Sequence, residues 1–168
     1  SLDLMAHSSA PQIFANNRRL AVRRRMLAAQ KLPDAPRYIL DDMIEDVVER
    51  LAFLRHEPAR VLLIGDVDEV LARSLPSQTE IISVEPANGF LEEQPYPNGN
   101  FDLIVSLGTL DTVNDLPGAL VHIRNALGKG GLFIASFMGA GCLPKLRNSL
   151  LISDADRPAA RIHPLVDV

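Results

Sequence analysis

The residues with the clearest chemical potential follow Gly65, at the end of an aliphatic run. Four aliphatic residues lead into this glycine, and a helical pattern follows it directly. This order predicts a turn at the carboxyl end of a buried strand, where open α/β sheets bind their ligands. Nucleotide-binding turns of this kind normally hold several glycines, which let the backbone approach the ligand closely. Here Asp66, Val67, Asp68 and Glu69 follow instead, so the spacing predicts a ligand site that keeps one glycine.

The acidic residues after Gly65 allow a second interpretation, as a cation site, because hard metals bind clustered carboxylates. The cluster has neither the length nor the spacing of a calcium loop. Acidic side chains at a helix start also interact favourably with the helix dipole, and we favour that explanation. The four histidines are scattered without an i, i+4 pair, and no metal site is predicted from them (His7, His56, His122 and His163).

Cys142 is the only cysteine, so the sequence holds no internal disulfide and no cysteine-based metal cluster. A reducing compartment is the simplest inference from this usage. The residue follows two glycines at the start of a predicted helix, where a thiolate would be favoured. Without a recognisable histidine partner, we interpret it as a structural cysteine.

A helical start and a strand–helix alternation must position these residues. Helices are predicted over residues 12–30, 38–55, 68–74, 116–127 and 142–152, and strands over 60–65, 80–85, 101–107 and 132–137. The glycine-rich stretch 128–131 suits the end of the fourth helix. Strands that alternate with helices predict a parallel sheet with right-handed crossovers. The fold class is therefore α/β, with a helical lid over residues 1–57 and a sheet domain over 58–168 that form one unit.

The predicted sheet is incomplete in two places. About fifteen residues separate the second strand from the third, too few for an inserted helix and strand, since a parallel crossover alone needs a dozen or more. No closing strand is predicted after the last helix, which leaves the fourth strand with an unpaired edge. Either the natural chain is longer than these residues or a partner covers that edge.

The composition and the amino-terminal segment constrain partners and location. A net charge of −4 argues against bulk nucleic-acid binding, and no apolar run approaches the ~20 residues that span a bilayer. Between Leu4 and Pro33 the chain is acid-free and arginine-rich, with Arg18, Arg19, Arg23, Arg24 and Arg25. Such a start could be a transit peptide for the mitochondrial matrix. We favour a basic amphipathic helix in a bacterial cytoplasmic protein.

The arginine cluster also suggests a binding surface. It could contact an acidic partner protein or lipid headgroups, and the alternative is a solvated helix face. A protein partner could bind either this helix or the open sheet edge, and a homodimer is a further possibility.

Several motifs together resemble a known family. They are Asn-Phe-Asp-Leu-Ile-Val-Ser at residues 100–106, Val-Asn-Asp-Leu-Pro-Gly-Ala-Leu at 113–120, and Ile-Arg-Asn-Ala-Leu at 123–127 leading into Gly-Gly-Leu-Phe-Ile at 130–134. Ile-Phe at 13–14 and Leu-Pro-Lys-Leu-Arg-Asn-Ser-Leu at 143–150 add to them. The chain resembles class I S-adenosylmethionine-dependent methyltransferases of the methyltransferase type 11 group. Within that group it is similar to bacterial relatives of the mitochondrial complex I assembly factor 5 family.

The resemblance implies a Rossmann-like sheet with S-adenosylmethionine over the carboxyl ends of its strands. Gly65 stands at the first glycine of the cofactor loop, which continues through Asp66, Val67 and Asp68. Glu85, followed by Pro86, stands at the acidic residue whose carboxylate can accept both ribose hydroxyls. Ser106 and Leu107 stand beneath the methionine moiety.

Two hypotheses about activity follow from the resemblance. The first is an S-adenosylmethionine-dependent methyltransferase with a degenerate cofactor loop, in which Val67 and Glu69 replace glycines. Asp111 is its candidate general base, or alternatively a cap of the next turn or helix. The second is a catalytically inactive relative that acts as a binding or assembly factor. The family is also linked to hydroxylation of a protein arginine, which would suggest a non-haem iron site of two histidines and a carboxylate.

Overall fold

The computed structural model describes residues 9–34, 37–137, 148–153 and 161–166 of the chain. Its helices are α1 (Ser9–Gln30), α2 (Tyr38–Leu54), α3 (Val70–Ser74) and α4 (Leu116–Ala126). Its strands are β1 (Arg60–Ile64), β2 (Glu80–Val84), β3 (Phe101–Leu107), β4 (Leu127–Ser136), β5 (Asn148–Ser153) and β6 (Arg161–Val166). These elements confirm the predicted strand–helix alternation from residue 60 to residue 136.

The strands form one sheet in the order β2-β1-β3-β4-β5-β6. The first four of these strands run parallel, and β5 and β6 add to them in antiparallel orientation. Parallel strands must be joined by crossovers on the sheet faces; α3 lies in the connection from β1 to β2 and α4 in the connection from β3 to β4. The predicted α/β, Rossmann-like class is therefore confirmed.

Alternation along the strands divides the core between the two faces of the sheet. Val61 and Leu63 of β1 pack with the buried side of α2 and with Leu71 of α3. Leu62 and Ile64 point to the opposite face and pack with α4. Because successive side chains of a strand point to opposite faces, an unbroken aliphatic run indicates a strand that is covered on both sides.

Helix α4 begins with a side-chain cap and a proline. Asp115 precedes the helix, and its carboxylate accepts a hydrogen bond from the backbone N–H of Gly118 at 2.9 Å. Pro117 lies in the first turn, where the missing N–H has no helical partner to lose. Ala119, Ile123 and Ala126 then recur at helical spacing and are buried against the sheet.

The predicted final helix over residues 142–152 is wrong in its described part. Residues 148–153 form β5, which pairs antiparallel with β4 from Leu132 to Ser136. Short apolar runs do not distinguish a helix from a strand by periodicity, and here the open edge of β4 selects the strand. The predicted unpaired edge is therefore also wrong at β4. Cys142 lies outside the described residues.

Two smaller predictions need correction, and one gap is confirmed. Helix α3 starts at Val70 rather than at residue 68, because Asp68 and Glu69 have left-handed backbone conformations. The glycines of residues 128–131 belong to β4 instead of ending α4. Between β2 and β3 the structure has a 3-10 turn at Pro86–Asn88 and no further helix or strand, as the short spacing predicts.

No helix among the described residues has the length and apolar character needed to cross a membrane.

Candidate functional site

The carboxyl ends of β1, β2 and β3 meet in one place, which we call the strand-end cleft. Ile64 pairs with Val84 on one side and with Ser106 on the other. This register places Gly65 beside Glu85 and Leu107, one residue further along each strand. The N–H of Gly65 donates to the carbonyl of Val84 at 3.0 Å, which fixes the turn against β2.

Gly65 has little room for any side chain. Its φ of +80° lies in the left-handed region that favours glycine. A Cβ built there would lie 2.7 Å from Cγ2 of Thr109 and 3.1 Å from the carbonyl oxygen of Leu107. The glycine that the sequence pattern identifies is therefore required by both conformation and packing.

The turn after Gly65 is held by Asp66. Its two carboxylate oxygens accept hydrogen bonds from the N–H groups of Leu71 and Ala72, each at 2.9 Å. Burial raises the pKa of Asp66 above its ordinary value, although these hydrogen bonds oppose the shift. The acidic residue thus caps α3 from a distance, in agreement with the helix-start interpretation of the cluster.

The left-handed strain of the turn lies at Asp68 and Glu69. Their φ values are +58° and +55°, while Val67 is not among the residues with positive φ. The β-branched side chain of Val67 therefore meets no left-handed backbone at this position. The family resemblance predicts a glycine at the position of Glu69. The backbone of Glu69 adopts the left-handed conformation that a glycine would favour, although the residue carries a side chain.

Glu85 lies at the carboxyl end of β2 with both carboxylate oxygens engaged. Oε2 accepts a hydrogen bond from the N–H of Ala87 at 2.7 Å, which holds the 3-10 turn that starts at Pro86. Arg23 of α1 donates to the same carboxylate, from Nη2 to Oε1 at 2.5 Å and from Nε at 3.1 Å. The bidentate acceptor that the resemblance assigns to ribose hydroxyls is filled by a guanidinium group.

Arg23 is itself buried in the cleft, with 8% of its side chain exposed. Its Nη2 also lies 3.4 Å from the carbonyl oxygen of Gly65. The guanidinium therefore spans the space between the β1 turn and the end of β2. The expectation of a solvated arginine face is wrong for this residue, because it is paired within its own chain.

A second buried network lies beside the first, around Glu92. The carboxylate of Glu92 is fully buried and forms an ion pair with Arg19. Its Oε2 accepts a hydrogen bond from the hydroxyl of Thr109 at 2.9 Å, and that hydroxyl lies 2.9 Å from Oγ of Ser106. Arg19 donates further to the Thr109 carbonyl at 2.8 Å and to the Thr112 hydroxyl at 2.7 Å.

The remaining predicted site residues lie at different depths. Pro86 and Ser106 are buried at the carboxyl ends of β2 and β3, and Leu107 is part of the core between the sheet and α2. Asp111 lies exposed on a 3-10 turn over Leu110–Thr112, next to residues that contact Arg19. It does not cap α4, since Asp115 has that role.

Sequence reasoning missed Arg19, Arg23 and Glu92 as residues of the cleft. Arg19 and Arg23 are four residues apart, a spacing that places two side chains on one helix face. Glu92 lies in the stretch without regular structure before β3, where nothing local marks an acid as buried. The arginine spacing was thus available as a signal, whereas Glu92 carried none.

With α1 docked, Glu85 is not available to S-adenosylmethionine. Both oxygens of Glu85 are occupied, and the cavity between the Gly65 turn and α2 measures about 20 Å³. Pockets for ligands of this size are typically ~300–1,000 Å³. A larger cavity of about 310 Å³ lies between α1 and the Pro86–Leu91 segment, with Arg19 and Leu20 in its wall. It opens beside the Glu85 turn rather than onto the Gly65 loop.

The described part of the chain contains no group of three histidine, cysteine, aspartate or glutamate side chains that could hold a metal ion. His56 follows α2, and its Nε2 lies 2.9 Å from the carbonyl oxygen of Asp102. The side chains of His7 and His163 lie outside the described residues.

Comparison with known proteins agrees with this architecture. Residues 35–165 match the family described as "Methyltransferase domain". The human protein "Arginine-hydroxylase NDUFAF5, mitochondrial" is 41% identical over 83 residues, which are 48% of this chain and 23% of that protein. The zebrafish (Danio rerio) protein of the same name is 29% identical over 120 residues, 71% of this chain and 33% of its own. The chain thus spans about a quarter to a third of the length of these curated relatives.

Among solved structures, the N-methyltransferase NodS from Bradyrhizobium japonicum, in complex with S-adenosyl-L-homocysteine, superimposes with a TM-score of 0.52. The match is 16% identical and covers 68% of this chain and 71% of that one, so it concerns the fold alone. The family match, in contrast, extends over most of the chain, from before α2 to the last strand. The protein described here belongs to the methyltransferase domain family.

Proposed function

We propose that this chain is the cofactor-binding domain of an S-adenosylmethionine-dependent methyltransferase-like protein. The observation that carries the proposal is Glu85, a carboxylate at the carboxyl end of β2 that faces the single-glycine turn of β1. In open α/β sheets, ligands bind outside the carboxyl ends of the strands. Membership of the family and the fold shared with a methyltransferase that binds S-adenosylhomocysteine support the same assignment.

In this proposal Glu85 accepts the ribose hydroxyls, and Gly65 lets the backbone of its turn approach the ligand. Asp66, Val67 and Asp68 border the loop, with Pro86, Ser106 and Leu107 at the ends of β2 and β3. Asp111 remains the candidate general base. These assignments require Arg23 to leave Glu85, since one carboxylate cannot serve both partners.

The test is calorimetric titration with S-adenosylhomocysteine on the full chain carrying Arg23→Ala, which uncovers Glu85. We expect binding, and we expect an added Glu85→Gln change to weaken it by at least ~10-fold, because loss of a charged acceptor typically costs ~1.5–3 kcal/mol. Glu80→Gln is the matched control, since Glu80 lies exposed at the opposite end of β2. No binding by the Arg23→Ala chain, or equal losses from both glutamates, would refute the proposal.

A second candidate function is a catalytically inactive binding or assembly factor. Two observations favour it: the ribose acceptor is held by an arginine of the same chain, and the loop glycines are replaced at Val67 and Glu69. The same titration separates the two candidates. An assembly factor that has lost the cofactor site gives no heat with S-adenosylhomocysteine in either background.

We also propose that this protein is located in the bacterial cytoplasm rather than in the mitochondrial matrix. The packing of Arg19 and Arg23 into the cleft supports the arginine-rich segment as a folded part of the domain rather than a transit peptide. Import assays on a green fluorescent protein fusion of residues 1–34 test this. Uptake into mitochondria would contradict it.

A further inference from the structure

Helix α1 inserts two cationic side chains into the cleft that the proposed function needs open. Arg19 and Arg23 are one helical turn apart and contact Glu92 and Glu85. We propose that α1 is a displaceable intramolecular plug, which competes with the nucleotide ligand for Glu85 and is released when that ligand binds. This inference rests on the proposed function and adds a regulatory step to it.

The competition is a matter of acceptor capacity. A carboxylate that binds a guanidinium bidentately offers its two oxygens to a planar fork of donors. At Glu85 these oxygens also accept the N–H of Ala87, so no oxygen remains free for a pair of hydroxyl groups. Ligand and Arg23 must therefore alternate at this residue.

The second contact of the plug sets how firmly α1 is held. Glu92 is fully buried, and removal of its partner Arg19 would leave an unpaired charge in the interior. Arg24 adds a hydrogen bond from Nε to the carbonyl of Ala87 at 3.2 Å. Arg23 is the better residue to change, because Glu85 stays 20% exposed and can be solvated when its partner is lost.

A plug of this kind weakens ligand binding because only the molecules in the open form can bind the ligand. The apparent dissociation constant equals the intrinsic constant divided by the populated open fraction. Removal of the Arg23 side chain shifts the population toward the open form. It should therefore tighten binding without adding any contact to the ligand.

The experiment compares S-adenosylhomocysteine binding by the unmodified chain, Arg23→Ala and Arg25→Ala. Arg25 lies on the same helix and is exposed, which makes it the matched control. We expect Arg23→Ala to bind S-adenosylhomocysteine at least ~10-fold more tightly than the unmodified chain, which corresponds to an unmodified chain with under a tenth of its molecules open. Arg25→Ala should bind it with the same affinity as the unmodified chain. Arg23→Lys, which keeps a single charge, should give an intermediate affinity.

Hydrogen exchange measured by mass spectrometry gives a second readout. Saturating S-adenosylhomocysteine should increase amide exchange over α1 in the unmodified chain, whereas a ligand that closes a lid would decrease it. Equal affinity of the unmodified and Arg23→Ala chains, or slower exchange of α1 on binding, would overturn the plug and leave the proposed function standing. If Arg23→Ala does not bind S-adenosylhomocysteine, both the plug and the proposed function are refuted, so failure of the plug alone can be told from failure of the function.

Discussion

At the scale of single residues, the turn after Gly65 combines an acidic sequence with a glycine-like backbone. Asp68 and Glu69 both adopt left-handed conformations, which cost an L-residue about 1–2 kcal/mol each. Asp tolerates this region better than Glu does, since its short side chain can form local hydrogen bonds. The strain is therefore concentrated at Glu69, which forms no side-chain capping hydrogen bond at the start of α3.

We expect Glu69→Gly to increase the free energy of unfolding by about 0.5–1 kcal/mol. Relief of the left-handed strain exceeds the extra backbone entropy that a glycine loses on folding, which is roughly 0.5–1 kcal/mol. Urea denaturation followed by circular dichroism measures the change. Glu69→Ala is the control, because it removes the side chain but keeps the strain, and it should give no comparable gain. A glycine variant no more stable than the alanine variant would contradict this account.

At the scale of elements, a single side chain fixes the start of β1 against β3. Oδ2 of Asp102 accepts hydrogen bonds from the N–H groups of Ala59 and Arg60, at 3.0 and 2.9 Å. The strands are adjacent in the sheet, with Val61 paired to Leu103. Asp102 thus sets where the β1–β3 pairing begins, at the end of the sheet opposite the cleft.

Asp102→Ala should lower the free energy of unfolding by about 2 kcal/mol, since it removes the charged acceptor of two backbone donors. Asp102→Asn keeps one acceptor oxygen in the same place and should lose less than half as much. Thermal and urea unfolding of the two variants make the comparison. Equal losses would show that the charge, rather than the acceptor geometry, is what matters at this position.

An element was predicted correctly from the sequence where its own residues determine its conformation, and incorrectly where contacts with distant segments do. Strand β3 was predicted with its observed bounds, because a buried parallel strand is encoded by its own apolar run. Helix α4 was predicted to within one residue from its own apolar spacing, although its cap proved to be Asp115 rather than the proposed Asp111. Strand β5 was predicted as helix, because only pairing with β4, a contact between distant segments, decides its conformation.

At the scale of the whole molecule, some residues of the candidate site could be predicted from the sequence and others could not. Gly65 and Glu85 could be placed from the sequence because each immediately follows its own strand. The ion pairs that fill the cleft could not, because they join α1 to residues far along the chain. Arg23 lies 62 residues before Glu85, and Arg19 lies 73 residues before Glu92. Neither pair leaves a periodic pattern in the sequence.

These long separations also bear on the order in which the chain folds. The contact of Arg19 with Thr112 closes a loop of 93 residues, and its other partners exist only when β1, β2 and β3 have assembled. Loop closure opposes such contacts until local structure has formed. We expect pulse-labelled refolding to protect the amides of β1 and β3 before those of α1. Protection of α1 in step with the strands would contradict this order. Helix α1, which precedes the strands in the chain, is then the last element to reach its native position, and until it docks the strand-end cleft is open.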